Sequence, residues 1–204
     1  MHVLCLDLEG VLIPEIWVGV ADRTGIDALR VTTREIPDYR ELMAHRLETI
    51  SQHDLTLSLV QDVIAGLEPL PGAREFLDAA RVRYQVAILS DTFYEFAMPF
   101  MAQLGYPTLL CHRLEVDVNG RITGYRLRQD DPKRSAVKAF HAMNYQVVAS
   151  GDSYNDLPML QEADAGVWFC APRQITRQHP QFPLVETYDR LLEEIETACR
   201  QFRG

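Results

Sequence analysis

The stretch LCLDLEGVLIPE, residues 4–15, joins the pattern of a buried strand to a cluster of acids. Its first residues are almost all apolar, and Asp7, Glu9 and Glu15 then follow closely. A continuous apolar run that is closed by polar residues is typical of a strand buried in a parallel sheet. We therefore predict a strand over residues 2–8 that carries carboxylates at its carboxyl end.

Two further apolar segments repeat this arrangement, and helical patterns separate them. Residues 84–89 lead into Ser90, and residues 146–149 lead into Asp152. A fourth strand is predicted at residues 165–170. Helices are predicted at residues 72–83, 94–104, 134–143 and 187–202. Strands that alternate with helices predict an α/β fold, a Rossmann-like and mostly parallel sheet with helices on both faces. Pro99 predicts a break or kink in its helix.

Two stretches interrupt the alternation. Residues 14–71 contain no convincing strand and show helical patterns at 15–24, 38–52 and 57–66, so they predict a helical lobe inserted after the first strand. The core would then comprise residues 1–13 and 72–204, with prolines at the two junctions serving as hinges. Residues 114–127 alternate around Asn119-Gly120, which is a strong signal for a β-hairpin.

Composition excludes several classes of function. The chain has 204 residues, 47% of them hydrophobic, and a formal net charge of −9. That charge argues against binding to nucleic acid or to an acidic membrane surface. No apolar run is long enough to span a membrane and no signal peptide is apparent, so a cytoplasmic location is expected. The scattered cysteines predict buried free thiols, and the oligomeric state is left open, with a homodimer as one alternative.

The strand ends predict a magnesium site. Ligands of parallel sheets sit beyond the carboxyl ends of the strands, where Asp7, Glu9, Ser90 and Asp152 would meet. Because residues two apart on an extended chain point the same way, Asp7 and Glu9 would face one ligand together. Carboxylates from distant segments suit Mg²⁺, and Lys133, just before a helix, would add a positive charge. A carboxylate nucleophile in such a site predicts a phospho-aspartyl intermediate.

Four short motifs occur in an order that resembles the haloacid dehalogenase-like phosphatases. They are DLEGV at 7–11, ILS at 88–90, DPKR at 131–134 and GDSYND at 151–156. The inserted lobe resembles the small cap of the phosphoserine phosphatase branch. The stretches DLEGVLIPEIW, SDTFYEF and FPLVETYDRL are similar to a bacterial subgroup of that branch. In that subgroup, phosphoserine phosphatase activity coexists with phosphoryl transfer from phosphoserine to homoserine.

The resemblance implies roles for the residues that carry out the chemistry. Asp7 would be the nucleophile, and Glu9 would act as acid and base while its backbone carbonyl contacts Mg²⁺. Lys133 would offset charge on Asp7 and on the transferred group. Asp152 would be a metal ligand, and Asp156 would hold a metal-bound water or orient Lys133.

The resemblance also implies a substrate site. Ser90 would bind a phosphate oxygen, and Asp91 and Asn155 would contact the substrate together with Lys133. Within the lobe, Glu15 would bind the ammonium group of phosphoserine. Arg46 would bind its carboxylate through a planar fork.

Glu9 departs from the family pattern, which places Asp at that position. Its extra methylene shifts the carboxyl group, and a misplacement of about 1 Å can cost ~100-fold in rate. We hypothesise that Glu9 remains the acid and base but favours an alcohol acceptor more than usual.

Several other interpretations compete with this one. A different small phosphate ester would suit the same chemistry, a phospho-accepting signalling domain shares the Asp, Lys and Mg²⁺, and an inactive binding protein is a third alternative. Locally, Asp7 and Glu9 would merely cap a loop, Ser90 would cap the following helix, and Glu15 and Arg46 would be ordinary surface charges.

Overall fold

A central sheet organises the chain in the computed structural model, which describes residues 1–32, 35–36 and 38–202. Across these residues it has seven strands in the spatial order β4-β3-β2-β1-β5-β6-β7. The strands are β1 (His2–Leu6), β2 (Gln85–Phe93), β3 (Thr108–Val116), β4 (Ile122–Arg126), β5 (Gln146–Gly151), β6 (Ala165–Phe169) and β7 (Leu184–Val185). Neighbouring strands are parallel except β3 and β4, which form the predicted hairpin.

Helices fill the connections between the strands. They are α1 (Ile16–Thr24), α2 (Tyr39–Gln52), α3 (Leu57–Ala65), α4 (Ala73–Arg81), α5 (Tyr94–Gln103), α6 (Pro132–Ala142), α7 (Leu157–Glu162), α8 (Arg173–Gln178) and α9 (Tyr188–Gln201). The Thr187 hydroxyl caps α9 by accepting from the Arg190 N–H. Within the described ranges, none of these helices has the length and apolar character that crossing a bilayer requires.

The two faces of the sheet carry separate cores, which confirms helices on both sides. Leu4 and Leu6 of β1 belong to the core that contains residues of α4, α9 and the helices α1 to α3. Val3 and Cys5 of the same strand belong to the core formed with α6, α7 and α8. Side chains alternate along a strand, so one apolar run serves both cores. This central strand is rigidly held, and its carboxyl end is a fixed platform.

β1 ends earlier than predicted. It stops at Leu6, and the chain then turns, with the Leu12 N–H and the Ile13 N–H both donating to the Leu8 carbonyl. Gly10 has a φ of +76°, a backbone conformation that residues with a Cβ rarely adopt. The turn begins right after Asp7, and the expectation that Asp7 and Glu9 face one ligand together stays a prediction.

β2, in contrast, continues beyond its predicted end. Ser90, Asp91 and Thr92 lie within the strand, and its register with β3 shifts between Leu89 and Phe93. The cap position of α5 is Phe93, which makes no side-chain capping bond. Ser90 is thus not the cap of that helix, and that alternative is wrong.

Pro99 does not break α5, which runs through it from Tyr94–Gln103. A proline lacks the N–H that would bond to the carbonyl four residues earlier, here that of Glu95. The Gln61 side chain, from α3, donates to that carbonyl at 2.7 Å and so satisfies it. A contact from a distant helix, which the local sequence does not show, explains the continuity.

The segment between β1 and α4 is helical in its described residues, as predicted. It contacts the rest of the chain beyond its two ends, because the Leu57 N–H donates to the Gly120 carbonyl at 2.9 Å. Thr56 and Arg121 form an isolated bridge at the same place, so the tip of the β3–β4 hairpin touches the turn between α2 and α3. The division into residues 14–71 and the remainder stays a prediction.

The prediction of buried thiols is correct for three cysteines and wrong for one. Cys5, Cys111 and Cys199 are buried, whereas Cys170 is exposed. Cys170 follows the last residue of β6 and has a φ of +51°, so the extended strand ends there. None of these four cysteines, all of which the structure describes, forms a disulfide bond.

Candidate active site

Two adjacent parallel strands bring acids to one edge of the sheet. Asp7 directly follows β1 and Asp152 directly follows β5, and the two strands pair in register. The Asp7 N–H donates to the Ser150 carbonyl at 2.9 Å, which continues this pairing by one residue. Lys133 comes to the same edge from the first turn of α6, not from the loop before it.

Lys133 is the centre of a group that we call the lysine cluster, formed by Asp7, Asp91, Lys133 and Asp156. Its Nζ lies 2.9 Å from Asp7 Oδ1, 2.6 Å from Asp156 Oδ1 and 3.7 Å from Asp91 Oδ2. Burial alone would lower the pKa of this buried lysine. The charges of Asp156, Asp7 and Asp91 outweigh burial and raise the pKa of Lys133 above its usual range, so the ammonium stays charged.

Asp156 holds Lys133 in place. Its Oδ1 accepts from Lys133, and its Oδ2 accepts from the backbone N–H groups of Asp152 and Ser153 at 3.0 and 3.1 Å. A Cβ at Gly151 would lie 2.3 Å from the Asp156 carboxyl carbon, so the backbone there must be glycine. These contacts fit the predicted orienting role better than a role as a free metal ligand.

The carboxylates at this edge fit a hard divalent cation. One oxygen each from Asp7, Asp152 and Asp156 lies within 4.8 Å of the others. Oxygen donors from distant segments are the ligands that Mg²⁺ takes, usually with waters that complete its shell. A Cβ at Gly10 would lie 2.5 Å from the Asp152 carboxyl, so the loop after β1 packs closely against this ligand. Since Asp156 already bonds Lys133, Asp7 and Asp152 are the residues that would hold the metal.

The electrostatics of the same carboxylates agree with that assignment. Burial and the charge of Asp156 raise the pKa of Asp7 well above its usual range, although Lys133 opposes the shift. Burial and the charge of Asp156 also raise the pKa of Asp152, to about 7. Excess negative charge is thus concentrated at this edge, and a cation there would relieve it.

Ser90 and Asn155 lie beside Asp91, a member of the lysine cluster. The Asn155 amide donates to Asp91 Oδ2 at 2.9 Å, and buried Ser90 accepts from the Thr92 N–H at 3.2 Å. Burial would raise the pKa of Asp91, but the charge of Lys133 outweighs it, with help from nearby His112 and from the hydrogen bond to Asn155. The pKa of Asp91 falls to about 2, so this carboxylate is charged at all ordinary pH values.

The three other predicted residues form a second group, which we call the arginine cluster: Glu9, Glu15 and Arg46. Glu9 Oε2 accepts from the Ile16 N–H at 3.0 Å, and burial together with the charge of Glu15 raises the pKa of Glu9 to about 8. Glu15 is exposed at the start of α1. Glu9 therefore lies with the residues of the inserted segment, while Asp7 lies with Lys133.

Arg46 is buried in this second group and incompletely bonded. Its Nη2 donates to the Val31 carbonyl at 3.2 Å, and its guanidinium carbon lies 4.7 Å from the centre of the Trp17 ring. Within the described residues its Nε is buried without a hydrogen-bond partner. Burial lowers the pKa of Arg46, and the charges of Glu9 and Glu15 partly offset that shift. A buried, unpaired guanidinium N–H is suited to an anionic ligand.

The sequence analysis missed two residues at this site, Tyr39 and His112. The Tyr39 hydroxyl donates to the Asp91 carbonyl at 3.0 Å, and His112 Nε2 lies 3.7 Å from Asp91 Oδ1. His112 was missed because its strand, β3, was predicted only from residue 114 onward. The apolar run Leu109-Leu110-Cys111 just before His112 is the signal that would have extended the strand.

Comparison with protein families and with known sequences gives consistent matches. The family model of the haloacid dehalogenase-like hydrolases matches residues 5–161. The chain is 59% identical over 194 residues to phosphoserine phosphatase ThrH of Pseudomonas aeruginosa, with 95% of each chain covered. It is 57% identical to a phosphoserine phosphatase of Pseudomonas syringae, covering 98% of this chain and 85% of the relative.

Solved structures share the fold. A phospho-aspartyl intermediate analogue of a phosphoserine phosphatase superposes with a TM-score of 0.79 at 20% identity, covering 95% of this chain and 98% of the other. A substrate-bound phosphoserine phosphatase gives a TM-score of 0.78 at 21% identity, covering 96% and 97%. At these identities the likeness concerns the architecture.

Proposed function

The chain belongs to the haloacid dehalogenase-like hydrolase family, and on that basis we propose that it is a Mg²⁺-dependent phosphoserine phosphatase that also transfers the phosphoryl group to homoserine. The observation that carries the proposal is the position of Asp7, whose Oδ1 lies 2.9 Å from the charged Lys133 at the carboxyl edge of the sheet. A carboxylate so placed can become esterified by phosphorus.

The first half-reaction uses the lysine cluster. An Asp7 oxygen attacks phosphorus, a new P–O bond forms, and the bond from phosphorus to the serine oxygen breaks. Lys133 offsets the negative charge on the phosphoryl oxygens, and Asp156 keeps its ammonium in position. Ser90 and Asn155 hold the phosphate ester in line. Mg²⁺ held by Asp7, Asp152 and the Glu9 carbonyl would orient and neutralise phosphate oxygens.

Glu9 supplies the proton transfers. It gives a proton to the departing serine oxygen and then takes one from the acceptor hydroxyl that attacks the aspartyl phosphate. In this step the bond from phosphorus to Asp7 breaks and the carboxylate is regenerated. Water as acceptor releases phosphate, and homoserine as acceptor yields phosphohomoserine. Because Glu9 is longer than the aspartate usual at this position, we propose that it lies closer to an alcohol bound by the inserted segment.

The arginine cluster is proposed to select an amino acid. An ammonium group next to Glu15 and a carboxylate next to Arg46 would match the two ends of the phosphoserine head. The incompletely bonded Arg46 supports this role, because an amino-acid carboxylate would satisfy its donor. The names of the two Pseudomonas relatives support the same substrate. A sugar phosphate or a nucleotide would need neither charge.

A panel of phosphate esters tests the proposal directly. The purified chain is assayed with Mg²⁺ on phosphoserine, phosphothreonine, sugar phosphates and an aryl phosphate, with chelator controls. We expect phosphoserine to give the highest kcat/KM, and chelation to abolish turnover. Turnover of another ester at a higher kcat/KM would contradict the substrate, and full activity in chelator would contradict the metal.

The transfer reaction needs a separate measurement. Phosphoserine and Mg²⁺ are incubated with and without homoserine, and phosphohomoserine is quantified by phosphorus NMR. We expect phosphohomoserine to appear at the expense of free phosphate. The same phosphate release in both reactions, without phosphohomoserine, would refute the transfer while leaving the phosphatase assignment intact.

We also propose that residues 14–71 act as a cap that closes over the bound substrate, and that the enzyme works in the cytoplasm. Closure would exclude bulk water from the aspartyl phosphate and admit one chosen acceptor. Small-angle scattering with and without Mg²⁺ and a fluoride mimic of phosphate should show compaction. An unchanged radius of gyration would argue against a moving cap.

A further inference from the structure

His112 is fixed in one orientation beneath the site. It is buried on β3, and its Nδ1 accepts from the backbone N–H of Arg128 at 3.1 Å. A nitrogen that accepts from a backbone N–H carries no proton, so the neutral ring has its proton on Nε2. That Nε2 faces Asp91 Oδ1 at 3.7 Å. Both ring nitrogens thus have polar neighbours, which space-filling alone would not require.

Asp91 needs such support, because the regular ladder does not hold it. The register of β2 on β3 shifts between Leu89 and Phe93, and Asp91 lies within that irregular stretch. Its carbonyl accepts from Tyr39 of α2, and its Oδ2 accepts from Asn155 at 2.9 Å. His112 is on the other side of the same carboxylate.

Aromatic rings restrict the imidazole further. The Tyr39 ring packs edge-on against His112 with centroids 6.2 Å apart, and the Phe93 ring lies tilted to it at 6.3 Å. Such packing limits the rotation of the ring and keeps Nε2 aimed at Asp91. Tyr39 contacts both His112 and Asp91, so one residue of α2 reaches both members of the pair.

We propose that His112 is a positioning residue that holds the Asp91 carboxylate where it receives Asn155 and flanks Lys133. Through Asp91 it sets the position of two groups that act on the phosphate, without contacting the substrate itself. The inference rests on the proposed function for its catalytic readout, and on the geometry of the ring for its structural readout. Of the family motifs in the sequence, none includes His112.

A double-mutant cycle tests the proposal. The kcat and KM of H112F, D91A and the double variant are measured on phosphoserine and on an aryl phosphate. Loss of a positioning contact should lower kcat of H112F about 10- to 100-fold and leave KM nearly unchanged. In the D91A background, H112F should have little further effect, because residues that act through one another are not additive. Full additivity would overturn the proposal.

Two further variants separate positioning from packing. H112Q keeps a donor and an acceptor and should recover most of the kcat lost in H112F. F93L perturbs the same aromatic group without touching Asp91, and should lower the melting temperature more than it lowers kcat. Equal losses of kcat in H112Q and H112F, or in F93L and H112F, would overturn the role.

A structural measurement keeps the inference independent of the substrate. Nitrogen-15 NMR of the histidines in the full chain should show His112 as the Nε2–H tautomer, with a shift that changes in D91A. The Nδ1–H tautomer, or a signal indifferent to D91A, would overturn the proposal whatever ester the enzyme prefers. If the double-mutant cycle shows the expected non-additivity in kcat on the aryl phosphate but not on phosphoserine, only the substrate assignment is contradicted.

Discussion

The lysine cluster and the arginine cluster solve the burial of charge in opposite ways. In the lysine cluster Lys133 contacts Asp7 and Asp156 directly, at 2.9 and 2.6 Å. In the arginine cluster no hydrogen bond joins Arg46 to Glu9 or Glu15 among the described residues, although their charges influence one another. The first group is complete before a ligand arrives, while the second retains an unsatisfied donor. Under the proposed function, the groups for the chemistry would be preorganised at the sheet edge, and the groups for selectivity would be completed by the ligand.

We expect the largest effect from replacing Asp7, the proposed nucleophile of the lysine cluster. We expect Asp7→Asn to lower kcat on the order of 10⁴-fold or more, because an amide cannot be phosphorylated. Phosphate release and intact-protein mass spectrometry after a quench would measure turnover and the covalent intermediate. Exposed Asp189→Asn is the matched control. Turnover of Asp7→Asn within tenfold of the wild type would contradict the assignment.

Removing the ammonium group of Lys133 should affect both the rate and the stability of the fold. We expect Lys133→Met to lower kcat by about 10²- to 10³-fold, as for loss of one preorganised charge. It should also destabilise the fold by about 3–5 kcal/mol, because buried carboxylates lose their partner. Urea unfolding and steady-state kinetics measure the two effects. Lys138→Met, which changes an exposed lysine on the same helix whose partner Glu162 is half-buried, is the control. Equal behaviour of the two variants would refute the cluster's preorganisation.

The arginine cluster should respond in substrate selection alone. We expect Arg46→Ala to raise KM for phosphoserine about 10- to 100-fold, the value of a hydrogen-bonded charge contact. KM for an aryl phosphate should change little, because that ester has no amino-acid head. Arg40→Ala, an exposed neighbour on α2, serves as control. A similar rise in KM on both esters would show that Arg46 supports the fold or the phosphate instead.

The smallest expected effect concerns acid stability at the edge of the lysine cluster. The pKa of Asp91 is about 2 in the folded chain, and about 3.9 is usual for an unfolded one. A carboxyl group whose pKa is lower in the folded chain stabilises the fold at pH values above its pKa in the unfolded chain. This contribution disappears as the pH falls toward 2. We expect Asp91→Asn to cost about 2 kcal/mol near neutral pH and less below pH 4. Urea unfolding across that range measures it, and a constant difference would contradict the prediction.

The sequence predicted the sheet and its acids because their signals are local. The apolar run before Asp7 and the glycine-led turn at Asp152 can each be recognised from a few neighbouring residues. The structure confirms the mostly parallel sheet. The errors lie where distant contacts decide. Gln61 satisfies the carbonyl freed by Pro99. In the irregular part of β2, Tyr39 bonds to the Asp91 carbonyl and His112 lies 3.7 Å from the Asp91 carboxylate. Local propensity does not contain these contacts.

The site shows the same division. The four motifs predicted which residues meet, and Lys133 does contact Asp7 and Asp156. The separation of Glu9 from Asp7 was not predicted, because it depends on where β1 ends and on the turn at Gly10. Two acids two residues apart thus belong to different clusters, which residue spacing alone does not show.

The hydrogen bond from Leu57 to Gly120 has a mechanical consequence. The proposed cap, residues 14–71, is thus held away from its two ends by this bond and by those from Gln61 to Glu95 and from Tyr39 to Asp91. If the cap opens, the contacts that resist the motion must be released, at about 0.5–1.5 kcal/mol for each hydrogen bond. Admission of substrate would then be a threshold event, and the length and sequence of the hairpin tip would set how often the entrance is open.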